Sequence, residues 1–393
     1  MGRSHHAAVL EPDAGFVVSV RLKLALIVAV LLASLGMAAA LSVATAQAAG
    51  RFGVALHPAA EVPNAADFAR MDRGKVGSVR VQFYWPRIQK TRSECSATST
   101  AGACDWSEPD QIVGQAAARG MHVLPFFYGT PSWLRPDGST DASSPVASPE
   151  AQKKWKEFVK AAAQRYGPGG AFWDAYANPA PPIRTWQIWN EQNSKSKWAP
   201  RPSPKAYSKL VKLAHTAITS VDRKAQLMLG GMFGTPFNTR SSTAWKFLDR
   251  LYDVKGIKTK FDRVAVHPYS PDLRGIKYQM DKMRKVMKAN GDRRTKLAVT
   301  EIGWGSGKPY QNSFLLKGLK GQKRMLQKSF GMFNARRRDW KLGTVYWFSM
   351  IDAAHCGDSC TYWDTSSGLF RAGDAVDPKP AWRAFTKFTG GRP

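Results

Sequence analysis

Two glutamates stand out as residues able to do chemistry together. Glu191 lies in Trp189-Asn190-Glu191-Gln192-Asn193, and Glu301 lies in Thr300-Glu301-Ile302-Gly303-Trp304. Each follows directly on a short apolar run and is flanked by polar and aromatic side chains. Paired carboxyls divide acid and base work: one, held protonated, gives its proton to a leaving oxygen, and the other, ionised, attacks carbon. Cleavage of a glycosidic bond requires that division. Trp, Tyr and Phe beside such a pair stack on sugar faces and exclude water, while Asn190 and His267 supply hydrogen bonds to hydroxyls. Either glutamate alone reads as a solvated loop residue; the two together, in matching surroundings, carry the argument.

Residues so far apart in the chain meet only if regular elements bring them together. Short apolar runs predict strands at Phe52–Leu56, Ser78–Phe83, Met121–Phe127, Arg184–Trp189, Gln226–Gly230, Arg263–His267, Lys296–Thr300 and Leu342–Phe348. They read as strands buried on both faces, as parallel sheets require. Helical patterns fall between them: Asn64–Asp72, Asp110–Arg119, Pro149–Tyr166, Ser203–Val221, Ser242–Leu251, Ile276–Ala289, Leu315–Arg336 and Pro380–Phe388. Met280, Met283 and Met287 recur at helical spacing and read as core filler. Strands alternating with helices allow a closed barrel or a large doubly wound sheet. Phe52-Gly53-Val54-Ala55 holds a single glycine, which weakens a dinucleotide-binding reading of the first turn.

The residues behind the runs favour the barrel. His57 follows the first, Arg80 lies in the second, and Phe126, Phe127 and Tyr128 end the third. His267-Pro268-Tyr269 ends the sixth and Tyr346-Trp347-Phe348 the eighth. In a barrel those ends converge on one rim, where active sites are built.

Trp186-Gln187-Ile188-Trp189-Asn190-Glu191-Gln192-Asn193 closely resembles the Asn-Glu-Pro-Asn signature of clan A glycoside hydrolases, and Val299-Thr300-Glu301-Ile302-Gly303-Trp304 resembles the clan's nucleophile segment. Gln192 stands where that signature has proline. The nearest families are 39 and 5. The resemblance spans most of residues 49–393 and implies a single-domain (β/α)8 TIM barrel. It makes Glu191 the general acid/base at the end of strand four and Glu301 the nucleophile at the end of strand seven. It also implies retaining double displacement without cofactor or metal, on an oligo- or polysaccharide. Arg80, His267, Tyr269 and Trp347 match positions the clan resemblance implies, and with Asn190, Trp304 and His57 at the ends of apolar runs they make the expected substrate-binding set, Trp347 being chosen among 14 tryptophans as a sugar-stacking subsite. A transglycosylase with the same residues and a non-catalytic carbohydrate-binding barrel remain open.

The formal charge is +29. It suits an anionic or cell-wall polymer. No helix-turn-helix, zinc-finger or RNA-binding signature accompanies the dispersed basic residues, so no specific nucleic acid is expected, and no obligate protein partner is indicated. Arg21 and Lys23 precede an apolar run from Leu24 to Val43 that ends in Ala46-Gln47-Ala48. That order predicts a signal peptide over residues 1–48 and a secreted protein; the alternative is a retained membrane anchor. Two local disulfides, Cys95–Cys104 and Cys356–Cys360, are the simplest pairing in an oxidising compartment, although four cysteines permit two cross-pairings. The second bridge is expected to brace the loop after strand eight and hold Asp352 or Tyr362 near a subsite. The lack of a Cys-x-x-Cys pair, with His355 alone nearby, argues against zinc.

Overall fold

The computed structural model describes residues 51–98, 104–175, 181–235, 240–309, 313–353, 355, 361–373 and 377–393. Residues 1–48 and the Cys356–Cys360 pair lie outside the described residues. Eight strands form the centre: β1 (Phe52–Ala55), β2 (Ser78–Tyr84), β3 (His122–Tyr128), β4 (Thr185–Asn190), β5 (Gln226–Phe233), β6 (Arg263–His267), β7 (Lys296–Ile302) and β8 (Leu342–Phe348). Every neighbour pair is parallel, and β8 returns to pair with β1, with Val54 opposite Trp347. That pairing settles barrel against open sheet: the barrel is closed, in order β1 to β8.

One long helix follows each strand: α1 (Ala65–Arg73), α2 (Ser107–Ala117), α3 (Pro149–Tyr166), α4 (Pro204–Thr219), α5 (Ala244–Tyr252), α6 (Leu273–Ala289), α7 (Gly318–Ala335) and α8 (Pro380–Thr389). Local sequence sets their starts. Asn64 accepts from the backbone N–H groups of Ala66 and Asp67, and Asp67 reciprocates on the Asn64 N–H, forming a capping box. Ser148 and Ser203 cap α3 and α4, each followed by proline in the first helical turn. Met280, Met283 and Met287 of α6 are fully buried, as their spacing predicts.

Side chains alternate along the strands between two environments. Ala55, Leu124, Met228, Ala265, Ala298, Tyr346 and Phe348 form a small cluster of their own. Their neighbours Val54, Val264, Val266, Leu297, Val299, Val345 and Trp347 belong to the larger core shared with the helices. The first set fills the barrel and the second packs outward. Observed strands start within one residue of the predicted ones, but several run further. Pairing continues to Tyr84 opposite Tyr128 and to Asn190 opposite Gly231. The polar and aromatic residues that seemed to follow those runs are thus the strand tips themselves.

Cys95 and Cys104 form a disulfide with a Cα–Cα distance of 5.2 Å. Among the described residues, no helix is long and apolar enough to cross a membrane. Asp352 does not line the cavity at the barrel mouth. It is buried, where its Oδ1 accepts from Lys379 Nζ (2.6 Å) and from the Gly368 N–H (2.8 Å). Tyr362 points to solvent. Lys379 Nζ also donates to Ser306 Oγ (2.9 Å) and to the Ser366 carbonyl (2.9 Å), joining the segments behind β7 and β8. Removing one partner of a buried ion pair leaves a charge without compensation. Lys379→Met is therefore expected to cost about 3–5 kcal/mol, measured by urea unfolding; an unchanged midpoint would contradict this role.

Candidate active site

The barrel mouth holds a cavity of about 460 Å³ lined by His57, Tyr84, Tyr128, Asn190, Glu191, Tyr269, Glu301, Phe348 and Trp363, among others. Its floor is organised by Arg80, which projects into the barrel because its neighbours Val79 and Val81 pack outward. The guanidinium is almost fully buried. Its Nη1 donates to Glu301 Oε1 (2.7 Å), Nη2 to Asn190 Oδ1 (2.8 Å) and Nε to Gln187 Oε1 (2.7 Å), and it lies 3.9 Å over the Phe126 ring. One planar cation thus meets three side chains from β4 and β7 in fixed directions.

From Gln187 the hydrogen bonds run in one direction. With its oxygen facing Arg80, its amide donates to Thr300 Oγ1 (3.3 Å). The Thr300 hydroxyl is then free to give its hydrogen to His267 Nε2 (2.9 Å), and His267 Nδ1–H donates to Glu191 Oε1 (2.9 Å). Oε1 of Glu191 accepts this bond even when the carboxyl carries a proton on Oε2, so His267 presents its N–H at Nδ1. The network connects Arg80, the partner of Glu301, to Glu191 through three side chains, Gln187, Thr300 and His267.

Two backbone irregularities aim the glutamates. Along β4, Trp189 has φ 72° and Glu191 φ 50°, left-handed values that cost a bulky residue about 1–3 kcal/mol each. They turn Trp189 outward into the core and leave both Asn190 and Glu191 lining the cavity. Along β7, the register with β8 shifts on both sides of Val299. Consecutive Thr300 and Glu301 therefore both face the barrel interior, Thr300 beneath the cavity and Glu301 lining it, where regular pleating would send one outward.

The turn after β4 is held from β5. Glu191 N–H donates to the Gly231 carbonyl (2.9 Å), and Gln192 Nε2 donates to the Gly230 carbonyl (3.1 Å). Asn193 Nδ2 donates to the carbonyls of Phe233 (2.7 Å) and Ser242 (2.6 Å). Gln192 replaces the signature's proline with a side chain that ties the turn to the barrel wall. The glycines supply space: a Cβ on Gly231 would meet His267 Nε2 at 1.9 Å, and one on Gly230 would meet Gln192 Oε1 at 2.2 Å.

Glu191, His267 and Glu301 each offer one atom, all within 4.8 Å of one another. Such a trio has metal-ligand geometry, and part of its bonding capacity is already taken by side chains of the site. Both His267 nitrogens are engaged, and Glu301 takes Arg80 on Oε1 and the Tyr269 hydroxyl on Oε2 (2.9 Å). The electrostatics set Glu301 apart. Burial acts to raise its carboxyl pKa, but the neighbouring His267 and Arg80 and the hydrogen bonds from Arg80 and Tyr269 outweigh it and hold the group below its ordinary value. Tyr269 is pushed well above its usual range by burial and by Glu301 and Glu191, so it stays a donor.

His57 lines the cavity, with its Nδ1 accepting from the Ala59 N–H (3.0 Å), which leaves the neutral ring's proton on Nε2; burial lowers its pKa despite nearby Asp364 and Glu301. Asn190 and Tyr269 line the cavity, whereas Arg80 and His267, expected to bind substrate, lie buried behind it and are bonded to Glu301 and Glu191. Trp347 and Trp304 do not line the cavity. Trp347 alternates with Tyr346 and Phe348, so it points outward against Phe330 of α7 and Trp304, its Nε1 donating to the Ser367 carbonyl (3.0 Å). Trp304 is equally buried, with Nε1 on the Ser270 carbonyl (2.9 Å). Phe348 and Trp363 take the aromatic place in the mouth, Trp363 packing 4.6 Å from Tyr269. Tyr84, Tyr128 and Asp141 form a further wall, with Tyr84 OH donating to Asp141 Oδ2 (2.8 Å); burial and Asp141 push the Tyr84 phenol up to about 12. The period of β8 could have singled out Phe348, and a lone polar Gln187 inside an apolar strand was a signal in its own right. Trp363 and Asp141, on long segments behind β8 and β3, carried none.

No protein-family model and no curated protein match this sequence. Solved structures do. A family 39 glycoside hydrolase from Bacteroides cellulosilyticus WH2 superposes with TM-score 0.62 at 18% identity, over 87% of this chain and 64% of its own. A monomeric beta-xylosidase from Caulobacter crescentus CB15 gives 0.59 at 14% identity, over 85% and 67%. A GH5_18 protein from Bifidobacterium longum subsp. infantis gives 0.60 at 18% identity, over 86% and 78%. The likeness is one of fold. The first and third of these carry the names of the two families that the glutamate segments resemble, and the chain spans about two thirds of the length of the first two.

Gly231→Ala is expected to force His267 from its place and lower stability by about 1–3 kcal/mol, the usual cost of overpacking, as followed by thermal unfolding. A melting temperature equal to that of the parent would show that the wall yields freely.

Proposed function

We propose that this chain is a retaining glycoside hydrolase that cleaves β-glycosidic bonds in an oligo- or polysaccharide, with Glu301 as nucleophile and Glu191 as general acid/base. The observation that carries the proposal is the approach of the two carboxyls, with oxygens within 4.8 Å, while one alone is held by a buried arginine. Retaining enzymes set their carboxyls about 5–5.5 Å apart, and inverting ones roughly 6.5–9.5 Å, to admit a water.

In the first step a Glu301 oxygen attacks the anomeric carbon as the bond to the leaving oxygen breaks, and the proton of Glu191 passes to that oxygen. A glycosyl ester on Glu301 results. Its formation removes the negative charge beside Glu191, which is now the carboxylate of the pair. Glu191 then takes a proton from water as the water oxygen attacks the same carbon, and Glu301 leaves. His267 keeps Glu191 oriented through both steps, and Arg80 and Tyr269 orient Glu301. Tyr84, Tyr128, Phe348 and Trp363 offer faces for the sugar rings. An extracytoplasmic setting, with residues 1–48 directing export or anchoring, fits the Cys95–Cys104 bridge, and an anionic or wall-associated polymer fits the +29 charge.

Glu301→Ala is expected to abolish hydrolysis, with azide restoring part of it and giving a glycosyl azide of inverted configuration. Full activity of Glu301→Ala on a polysaccharide would remove the nucleophile. Glu191→Ala is expected to slow natural substrates by about 10²–10⁴-fold and to spare the first step for aryl glycosides of acidic phenols; equal damage to both substrate types would contradict an acid role.

The pH dependence has a defined sign. Glu301 is held below its ordinary value of 4.5, so it is ionised above its lowered pKa. The stability it contributes is present above the unfolded value and is lost as pH falls through the folded one. The acid limb of kcat/KM should therefore lie below pH 4.5 and move upward in Arg80→Met, where both the charge and the hydrogen bond of Arg80 that oppose burial are lost. A limb that stays in place would mean that Arg80 does not hold the charge of Glu301.

A further inference from the structure

A second cavity, of about 550 Å³, opens between the segments behind β6 and β7. Tyr269 lines both it and the catalytic cavity, so the two share a wall. Among the described residues, three large hydrophobic side chains stand exposed: Tyr278 (54%), Phe314 (68%) and Tyr362 (68%). Two of them, Tyr278 and Phe314, line this second cavity. Exposed rings gathered in one concavity are costly to leave in water and mark a binding surface. Tyr278 packs edge-on against Trp245 at 5.6 Å, so its ring has support although half of it is exposed.

The chemistry of the lining decides the ligand. Thr235, Ser270 and Ser313 contribute polar groups beside the rings. Ser313 and Ser270 accept from the Leu315 and Asp272 N–H groups (3.1 and 3.4 Å), but an apolar partner would offer no acceptor for their hydroxyl hydrogens. A saccharide satisfies both kinds of surface: its C–H faces stack on Tyr278 and Phe314, and its hydroxyls meet the hydroxyls and backbone. We propose that this cavity is a distal subsite that binds sugar units of the same chain whose scissile bond lies between Glu191 and Glu301. The inference rests on the glycosidase reading, and it adds that the substrate is a saccharide long enough to pass the Tyr269 wall. The adjacency of the two cavities, on either side of Tyr269, is what selects a substrate chain over a second copy of this protein.

The test uses full-length Glu301→Gln protein, with and without the pair Tyr278→Ala and Phe314→Ala, titrated with cellohexaose, xylohexaose and mannohexaose and with the matching trisaccharides. The proposal predicts that at least one hexasaccharide binds about tenfold or more weakly once both rings are lost. Its trisaccharide should be held equally by both forms, and Tyr278→Phe with Phe314→Tyr should keep the hexasaccharide affinity. Equal hexasaccharide affinity in the two forms overturns the subsite. So does a complete lack of hexasaccharide binding, or a dimer that separates when the rings are removed. Failure of the glycosidase reading is seen separately, as absence of turnover of para-nitrophenyl β-glycosides by the unsubstituted protein; a ring-dependent hexasaccharide affinity would stand even then.

Discussion

The arrangement of the barrel mouth depends on one buried cation. Arg80 carries a permanent charge in a nearly solvent-free position, and such a charge is tolerable only if paired and fully hydrogen-bonded. Its guanidinium reaches Gln187 and Asn190 on β4 and Glu301 on β7 at 2.7–2.8 Å. The need to satisfy Arg80 therefore fixes which oxygen of Glu301 is occupied and which way the Gln187 amide faces. From that orientation follow the hydroxyl direction of Thr300, the tautomer of His267 and the hold on Glu191. Two carboxyls that simple repulsion would drive apart are kept close because only one of them is matched to a fixed positive charge.

That network works only because the backbone departs from regularity where the glutamates leave the barrel. Strained left-handed residues at Trp189 and Glu191, and a shifted register along β7, put successive side chains on the cavity side. The bare Gly230–Gly231 pair admits His267 and Gln192 to the space a Cβ would fill. Strain at such positions persists where surrounding bonds over-determine it. Here the carbonyls of Gly230, Gly231, Phe233 and Ser242 are all engaged by the turn after β4.

Much of this was legible in the sequence, and the exceptions have physical reasons. Buried apolar runs separated by helical patterns marked all the strands, and the positions of Glu191, Glu301, Arg80, Asn190, His267, Tyr269 and His57 in or behind those runs placed them in or directly beneath the mouth. The choice of Trp347 failed because side-chain type was weighed above the two-residue period of β8, which turns Phe348 inward and Trp347 out. Trp304 failed for a related reason, since an aromatic behind β7 can pack under the rim as readily as line it. Gln187 was passed over although it is the link between Arg80 and His267; a polar residue in a strand buried on both faces needs a partner, and that need was the available signal. Trp363 and Asp141 reach the cavity from long connections, whose paths depend on tertiary contacts such as the Lys379–Asp352 pair and leave no periodic trace.

The central claim is that Glu301, held ionised by Arg80, forms a bond to sugar. The most direct measurement is to treat the protein with an activated 2-deoxy-2-fluoro glycoside of a sugar it hydrolyses, then locate any adduct by intact mass and peptide mapping. The account predicts one sugar per chain, attached at Glu301, and no labelling when that residue is glutamine. A sugar on another residue, or steady turnover with inversion and no adduct, would contradict it.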